Sequence, residues 1–292
     1  MKEFVDFHIH TTASDGNFGP AEVVTQAAIQ GLVAIGITDH DTMDGVEDAR
    51  RAGERLNMEI IPGIEFSAHF GDKEIHILGY YCRMDNIILQ KILGRLKCDR
   101  HERMEKMVHK LNKLGIEVSF AEVLAKTKGN AIGRPHLAGV LCEKGYCRTL
   151  GEAFQRYIGY NLPAFVKRRE FTPFEAIEVI HGADGIPVLA HPGTYGKIDY
   201  FPDLISSGLE GIEVFHPRNT ALVSYKYLKL ALKHGLLITG GSDYHGAPQG
   251  QGPQLGDVQM DPSFLRKLKR RKGILKGTGR KNLIYRNEGF HL

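Results

Sequence analysis

The chain has 292 residues, of which 42% are hydrophobic and 25% charged, and its formal net charge is +4. This composition is that of an ordinary globular protein, and the length suits one α/β barrel or two smaller domains. The four cysteines show no paired CxxC spacing, so the sequence indicates neither a zinc ribbon nor a disulfide framework. Because there is no signal-like apolar run and no run of about 18 apolar residues, we expect a cytoplasmic protein without a membrane span.

The charge is unevenly distributed along the chain. Arg266–Lys281 holds nine Lys and Arg residues and no acid, so the rest of the chain is net acidic. A run of this kind is most often a solvated helix face, but a basic tail also attracts polyanionic substrates. Both interpretations stay open at this stage.

The first predicted strand ends in a pair of histidines. Residues 4–10 follow a strand pattern, and a polar loop follows them. Successive side chains of a strand point to opposite faces, so the imidazoles of His8 and His10 lie on the same face. With the loop carboxylate of Asp15, this pair indicates metal binding, because imidazole and carboxylate are common ligands of divalent metals.

The following elements alternate between helices and strands, and the strands carry residues of ligand type. His40 follows the second strand, Glu65 lies at the end of the third, and His76 lies on the fourth, after a hairpin-like turn. The predicted elements are a helix over Pro20–Gln30, a strand over Leu32–Thr38, a helix over Gly45–Leu56, and strands over Met58–Phe66 and Lys73–Tyr81.

A run of helical segments without strands interrupts this alternation. A long helix is predicted over residues 85–114, and shorter ones over Phe120–Lys126, Arg134–Lys144 and Leu150–Ile158. Strict βα alternation does not accommodate such a run. We therefore expect an inserted helical subdomain over residues 98–169 that caps the substrate site, with residues 1–97 and 170–292 forming the main domain.

Alternation resumes after residue 169, and three more strand ends carry ligand types: His191, His216, and Asp243 with His245. In a barrel of parallel strands the C-terminal strand ends converge on one mouth, so we expect these side chains to meet those of the first half. The predicted elements are helices over Pro173–His181, Phe201–Ser207 and Ala221–His234, and strands over Ile186–Ala190, Gly211–Phe215 and Leu236–Thr239.

The order of these motifs resembles the PHP (polymerase and histidinol phosphatase) superfamily of metal-dependent phosphoesterases. The resemblance covers nearly the whole chain and implies an α/β fold, a distorted (β/α)7 barrel, with three divalent metal ions. The motifs are His8-x-His10 with Asp15, Thr38-Asp39-His40, Gly63-Ile64-Glu65 followed by His76, Ala190-His191-Pro192, and Ser242-Asp243-x-His245.

The resemblance also implies how nine ligands share the ions. By the family pattern, the first ion is held by His8, His10, Glu65 and Asp243, the second by Glu65, His76 and His191, and the third by Asp15, His40 and His245. Independently of the family, six histidines and three carboxylates suit zinc, manganese or iron, among which the sequence does not choose. Two ions about 4 Å apart can share a bridging hydroxide that attacks phosphorus, so the cluster suits phosphate-ester hydrolysis.

Two further segments, Gly133-Arg134-Pro135-His136 and Glu213–Pro217, resemble a narrower subgroup. Its members convert nucleoside 3′,5′-bisphosphates to 5′-monophosphates and trim short RNA from the 5′ end. Arg134 is then expected to grip phosphate, and His216 to contact phosphate or to donate a proton to the leaving oxygen. His136 is expected either to bind substrate or to serve the structure. Arg168 is a weaker phosphate candidate, for which an ordinary surface charge is favoured.

Three other functions are alternatives to this one. Histidinol-phosphate phosphatase is the main alternative, although the helical insert with Arg134 favours a nucleotide. An amidohydrolase-type hydrolase leaves Asp15, His40 and His245 without a role. A nucleic-acid-binding module with a degraded site should have lost ligands, and none is missing from the sequence. The predicted catalytic set is therefore His8, His10, Glu65, Asp243 and His216.

Overall fold

A seven-stranded sheet in which the strands follow the order of the chain organises the structure, a computed structural model. The described residues are 3–71, 73–127, 129, 131–196, 198–247 and 252–275. The strands are Phe4–Ile9 (β1), Leu32–Ile37 (β2), Glu59–Phe70 (β3), Lys73–Tyr80 (β4), Ile186–Leu189 (β5), Gly211–Phe215 (β6) and Leu237–Gly240 (β7).

Six of these strands run in the same direction, and β4 runs against them. β4 is antiparallel to both β3 and β5, whereas the other neighbouring pairs are parallel. The two ends of the sheet meet at its C-terminal edge, where the His10 N–H donates to the Tyr244 carbonyl and the Asp243 N–H to the His8 carbonyl, both at 2.9 Å. The predicted distorted seven-stranded barrel is confirmed.

Helices outside the predicted insert cover the sheet through their apolar faces. In α9, Thr220 caps the first turn by accepting the Val223 N–H, and Gly235 ends the helix in the left-handed conformation. The helices are Pro20–Ile29 (α1), Val46–Leu56 (α2), Ile87–Lys113 (α3), Phe120–Lys126 (α4), Arg134–Glu143 (α5), Leu150–Ala153 (α6), Pro173–Gly182 (α7), Phe201–Ser206 (α8), Ala221–His234 (α9) and Pro262–Lys272 (α10). None of the helices within the described ranges is long and apolar enough to span a membrane.

The predicted helical insert has a hydrophobic core of its own. One cluster of buried residues joins the sheet to its covering helices, and a second joins the C-terminal half of α3 to residues 116–164. Helix α3 belongs to both, because Leu96 packs in the first cluster and Met104 in the second. The boundaries at residues 98 and 169 stay a prediction, which this division of the core supports.

Strand β3 is longer than predicted. It continues to Phe70 because its C-terminal half pairs with β4, from Gly63 opposite Tyr80 to Phe70 opposite Lys73. Glu65 therefore lies inside a strand, not at its end as the sequence pattern indicated. The extra length brings the antiparallel strand β4, and with it His76, against the mouth of the barrel.

The basic helix α10 lies at the opposite end of the barrel from the predicted site. Lys269 pairs with Glu59 at 2.5 Å, Lys272 with Asp184 at 2.7 Å, and Arg271 with Glu210. These three acids lie at or just before the N-terminal ends of β3, β5 and β6, so part of the basic charge is engaged with the barrel. Residues 276–281 of the basic segment, and the predicted main domain beyond them, lie outside the described residues.

Close approach of β1 and β2 depends on Gly36. A Cβ atom there would lie 2.3 Å from the Phe7 carbonyl oxygen, a distance that backbone atoms cannot accommodate without moving. We expect Gly36→Ala to lower the free energy of unfolding by about 1–3 kcal/mol, measured by urea denaturation. Gly94→Ala, on α3 with open space around it, is the control and should be neutral or slightly stabilising. Equal stability of the two variants would contradict this account.

Candidate metal centre

All nine predicted ligands lie in one cluster at the C-terminal end of the parallel strands. Three groups of them each offer ligand atoms that lie within 4.8 Å of one another. The groups are His8, His10 and Asp243; His40, Glu65 and His76; and His10, Asp15, His40 and His245. His191 joins the second group through Glu65 and through His76 Nδ1, which lies 3.2 Å from His191 Nε2.

The Glu65 carboxylate is the centre of this cluster and is fully buried. Imidazole nitrogens surround its two oxygens; they come from β1 and the residue that follows it, from β4, and from the loops after β2 and β5. The distances are 3.4 Å to His8, 3.2 Å to His10, 3.0 Å to His40, 2.9 Å to His76 and 3.0 Å to His191. One carboxylate thus contacts members of all three groups.

Asp15 and Asp243 supply the other two carboxylates on either side of His10. Asp243 lies 3.2 Å from His10 Nε2, and Asp15 lies 3.8 Å from His10 Nδ1. The His10 and His245 rings stack with centroids 4.1 Å apart, and His245 Nε2 lies 3.5 Å from Asp15. His10 is therefore shared between two groups, which the family pattern did not imply.

Glu213, to which the sequence motif Glu213–Pro217 assigned no role, supports two of the ligands. Its Oε1 accepts from His8 Nδ1 at 3.0 Å, and its Oε2 accepts the His191 N–H at 2.7 Å. Glu213 is fully buried on β6. A lone carboxylate in an otherwise apolar strand is the sequence signal that would have found it, because a buried charge requires partners.

Two further buried aspartates shape the loops that carry ligands. Asp39 accepts the Thr11 N–H at 2.8 Å, the Thr11 hydroxyl at 2.8 Å and the Ser14 hydroxyl at 2.6 Å, and so fixes the loop that presents Asp15. Asp6 accepts the Ser242 N–H at 2.9 Å beside Asp243. Burial raises the Asp6 pKa to about 6, although its hydrogen bonds oppose the shift.

Asp41, next to His40, ties the helical insert to the barrel. It adopts the left-handed backbone conformation, at a φ of 54°, and accepts the Ser67 N–H at 2.9 Å. Its Oδ2 also accepts from Arg100 at 2.5 Å and from Arg168 at 3.3 Å. The interpretation of Arg168 as an ordinary surface charge was wrong: its side chain is 10% exposed, and its partner lies 127 residues away in the sequence.

The electrostatics of the cluster favour ionised carboxylates. Burial opposes ionisation of Glu65, but His76, His40 and His8 outweigh it and hold the Glu65 pKa well below its usual range. Burial likewise opposes a charge on His10 and His76, but acidic neighbours win and raise the pKa of each to about 10. In both cases Glu65 is one of those neighbours.

The residues present fit divalent metal ions. Glu65 Oε2 and His10 Nδ1 are buried and make no hydrogen bond within the described ranges. His8 Nε2 and His10 Nε2 lie 3.1 Å apart. Because His8 Nδ1 faces Glu213, the Nε2 atom of His8 points into the cluster. Mixed nitrogen and oxygen donors that converge without thiolates suit zinc, manganese or iron.

The predicted substrate-binding residues surround this cluster. His216 Nδ1 accepts the Arg218 N–H at 3.2 Å, so a neutral His216 carries its proton on Nε2, which lies 3.4 Å from Asp243 Oδ2. His136 Nδ1 accepts the Gly133 N–H at 3.0 Å and so supports the start of α5. Arg134 binds Glu74 at 2.6 Å and lies over the Phe154 ring, at 5.4 Å from its centroid.

Two clefts lead to the cluster. A cleft of about 360 Å³ is lined by Glu65, Glu74, His76, His191 and Arg218, among others. A second, of about 520 Å³, lies between barrel and insert. Its barrel side includes Asp15, Asp243 and His245, and its insert side includes Lys126, His136 and Phe154.

Several known proteins are similar to this chain in sequence. The phosphoribosyl 1,2-cyclic phosphate 1,2-diphosphodiesterase of Eggerthella lenta is 33% identical over 82% of this chain and 94% of its own. A 5′-3′ exoribonuclease of Haemophilus influenzae is 32% identical over 84% of this chain and 91% of its own length. A 3′,5′-nucleoside bisphosphate phosphatase of Chromobacterium violaceum is 29% identical over 90% of this chain and 94% of its own length.

The fold has a solved counterpart of similar size. A Bifidobacterium adolescentis protein assigned as a metal-dependent phosphoesterase superimposes with a TM-score of 0.86 at 30% identity, over 92% of this chain and 96% of that one. The PHP domain family matches residues 6–169, more than half of the chain. The chain therefore belongs to the PHP superfamily of metal-dependent phosphoesterases.

Proposed function

We propose that this enzyme removes the 3′-phosphate from nucleoside 3′,5′-bisphosphates to leave 5′-monophosphates, and that it trims short RNA from the 5′ end. The observation that carries the proposal is the convergence of the ligand cluster with a cleft shared by barrel and insert. The cleft offers carboxylate and imidazole groups on one side, and Lys126 and Phe154 on the other, so it provides for both phosphate and base. The relatives from Chromobacterium violaceum and Haemophilus influenzae support the substrate class.

The nine clustered residues are proposed to hold up to three divalent ions, Mn²⁺, Zn²⁺ or Fe²⁺. His8, His10, Glu65 and Asp243 would hold the first. Glu65, His76 and His191 would hold the second, and Asp15, His40 and His245 the third. Ions bound there supply Lewis acidity, which lowers the pKa of water and offsets the charge on phosphate oxygens.

The protein's own groups position the reactants. Glu213 holds His8 and the backbone of His191 in fixed orientations through its two oxygens. His216 carries a proton on Nε2 at the edge of the cluster, where it can be donated to the leaving oxygen or to a phosphate oxygen. Arg134, steadied by Glu74 and Phe154, presents a planar guanidinium that suits a phosphate group. A cytoplasmic location stays a prediction.

The substrate assignment is tested with adenosine 3′,5′-bisphosphate, histidinol phosphate and phosphoribosyl 1,2-cyclic phosphate, each at the same concentration with the manganese-loaded enzyme. Hydrolysis of the first two is followed by phosphate release. For the cyclic diester, which releases no phosphate when its ring opens, ring opening is followed by ³¹P NMR. We expect kcat/KM to be highest for the bisphosphate, because the cleft between barrel and insert holds Lys126 on its insert wall and Arg218 on its barrel wall. Preference for histidinol phosphate, or for the cyclic diester as in the Eggerthella lenta relative, would keep the fold and replace the substrate.

The support from Glu213 has a measurable consequence for metal binding. In Glu213→Gln, one of the two accepting oxygens becomes an amide NH₂ that cannot accept from His8 or His191. We expect metal affinity to fall by about 10–100-fold, measured by competition with a chelator. Glu210→Gln is the matched control. The Glu210 carboxylate lies just before the same strand, but it pairs with Arg271, far from the cluster. Unchanged affinity in Glu213→Gln would refute this role.

Metal affinity should also depend on pH. Because the pKa values of His10 and His76 are raised to about 10, both imidazoles hold protons at neutral pH that a bound ion must displace. Affinity should therefore rise with pH, by about tenfold per unit for each proton released, between pH 6.5 and 8.5. Chelator competition at several pH values measures this. Affinity that is independent of pH would contradict the protonation of the cluster.

A further inference from the structure

A groove of about 600 Å³ lies on the helical insert. One wall is the C-terminal half of α3, and the other is residues 165–167, where the chain leaves the insert. None of the residues that line this groove lines either cleft that leads to the metal centre. It is here called the basic groove, and its basic side chains are those of Lys106, His109, Lys110, Lys113 and Lys167.

The basic groove carries a net positive charge. Four lysines line it, against one carboxylate, that of Glu105. Lys106 lies 3.8 Å from Glu102, but the two side chains are 66% and 67% exposed, so water weakens their attraction. None of the described carboxylates forms an ion pair with any of the other three lysines. The groove therefore attracts a polyanion.

The packing of the insert fixes the shape of the basic groove. The four basic residues that α3 contributes have the spacing i, i+3, i+4 and i+7, which places them on one face of the helix. Met107 and Leu111, on another face, are fully buried in the core of the insert. Lys110 donates to the Phe165 carbonyl at 2.6 Å and so holds the second wall beside the helix. A lysine face is commonly only solvated, but this second wall makes it concave.

Aromatic rings accompany the lysines. Phe165 lines the basic groove, and the ring of Tyr160, a residue that is 45% exposed, lies 5.1 Å from the Phe165 ring, measured between centroids. Proteins that bind single-stranded nucleic acid combine these two kinds of side chain, since cations follow the phosphates and aromatic rings stack on unpaired bases. This combination favours a single strand over a duplex or an acidic protein.

The basic groove begins close to the metal centre. Lys167 precedes Arg168, whose Nη1 donates to the Ser67 carbonyl at 3.0 Å. The Oγ atom of Ser67 lies 3.3 Å from Nδ1 of His40, one of the clustered ligands. Two contacts therefore connect the end of the groove to the ligand cluster.

From there the basic groove leads away along α3. Arg100 of this helix binds Asp41, the residue after His40. Lys106 and Lys113 follow Arg100 by 6 and 13 residues, so at a rise of about 1.5 Å per residue they lie about 9 and 20 Å farther along the helix. A nucleoside bisphosphate at the metal centre ends before these lysines, whereas an RNA chain of several nucleotides reaches them.

We propose that the basic groove binds single-stranded RNA, namely the part of the chain that continues 3′ of the scissile phosphate. This inference rests on the proposed function and deepens it, because it says how an RNA is held while its 5′-terminal nucleotide occupies the metal centre. The lysines neutralise successive phosphates without reading the sequence of the RNA. The groove therefore discriminates between substrates by their length.

The test compares adenosine 3′,5′-bisphosphate with a 5′-phosphorylated oligoadenylate of ten nucleotides, using the manganese-loaded enzyme. Both substrates release adenosine 5′-monophosphate by cleavage of the same kind of bond. In the triple variant Lys106→Gln, Lys113→Gln and Lys167→Gln, we expect the ratio of kcat/KM for the RNA to kcat/KM for the bisphosphate to fall at least about tenfold, through KM for the RNA. Damage to the fold or the metal centre would lower both values together and leave the ratio unchanged.

A second triple variant is the matched control. Lys226→Gln, Lys229→Gln and Lys233→Gln remove the same charge from exposed positions of α9, which contributes no residue to the basic groove. We expect its ratio to equal that of the wild type. An unchanged ratio in the groove variant, or an equal fall in the control, would overturn the inference without affecting the proposed phosphatase activity.

A binding measurement decides the inference even if the wild-type enzyme hydrolyses neither substrate and the proposed function fails. The fluorescence anisotropy of a labelled phosphorothioate decamer, which resists hydrolysis, gives Kd at several salt concentrations. In the groove variant, Kd should rise at least about tenfold, and the slope of log Kd against log salt should decrease by about 2. Unchanged binding in this variant, or equally tight binding of polyglutamate by the wild type, would overturn the proposed RNA site.

Discussion

The structure depends on one buried carboxylate. Glu65 has no exposure to solvent, and five imidazoles drawn from four regions of the chain lie within 3.4 Å of it. An isolated charge at this depth would be unstable, so Glu65 and its histidines require one another. The same arrangement that stabilises the carboxylate also brings ligand atoms close enough to share metal ions.

The departures from a regular barrel serve this arrangement. A parallel fourth strand would need a long crossover, whereas the antiparallel β4 follows β3 through a short turn and brings His76 directly to Glu65. The insert is held by Asp41, whose neighbour His40 is one of the clustered ligands. A shift of the insert would therefore be transmitted to the metal centre through adjacent residues. This coupling places the proposed substrate-binding groups of the insert beside the clustered ligands of the barrel.

The sequence predicted those features whose signals are local. The alternation of His8 and His10 and the histidines at strand ends are visible in short segments, and the convergence of parallel strand ends then predicted their meeting. The sequence did not reveal the role of Glu213 in holding His8 and His191, or the partnership of Arg168 with Asp41, because both depend on contacts between distant segments. The position of Glu65 was misjudged for the same reason, since the length of β3 is decided by its pairing with β4.

The nine clustered histidine, aspartate and glutamate residues around Glu65 are proposed to bind the divalent metal ions that the phosphoesterase requires. The most direct measurement is anomalous X-ray scattering from crystals grown with manganese, recorded on both sides of the manganese absorption edge. We expect difference peaks among Glu65, His10 and Asp15, within about 2.0–2.6 Å of their ligand atoms. Manganese peaks elsewhere, with none at this cluster in an enzyme that releases phosphate, would contradict it.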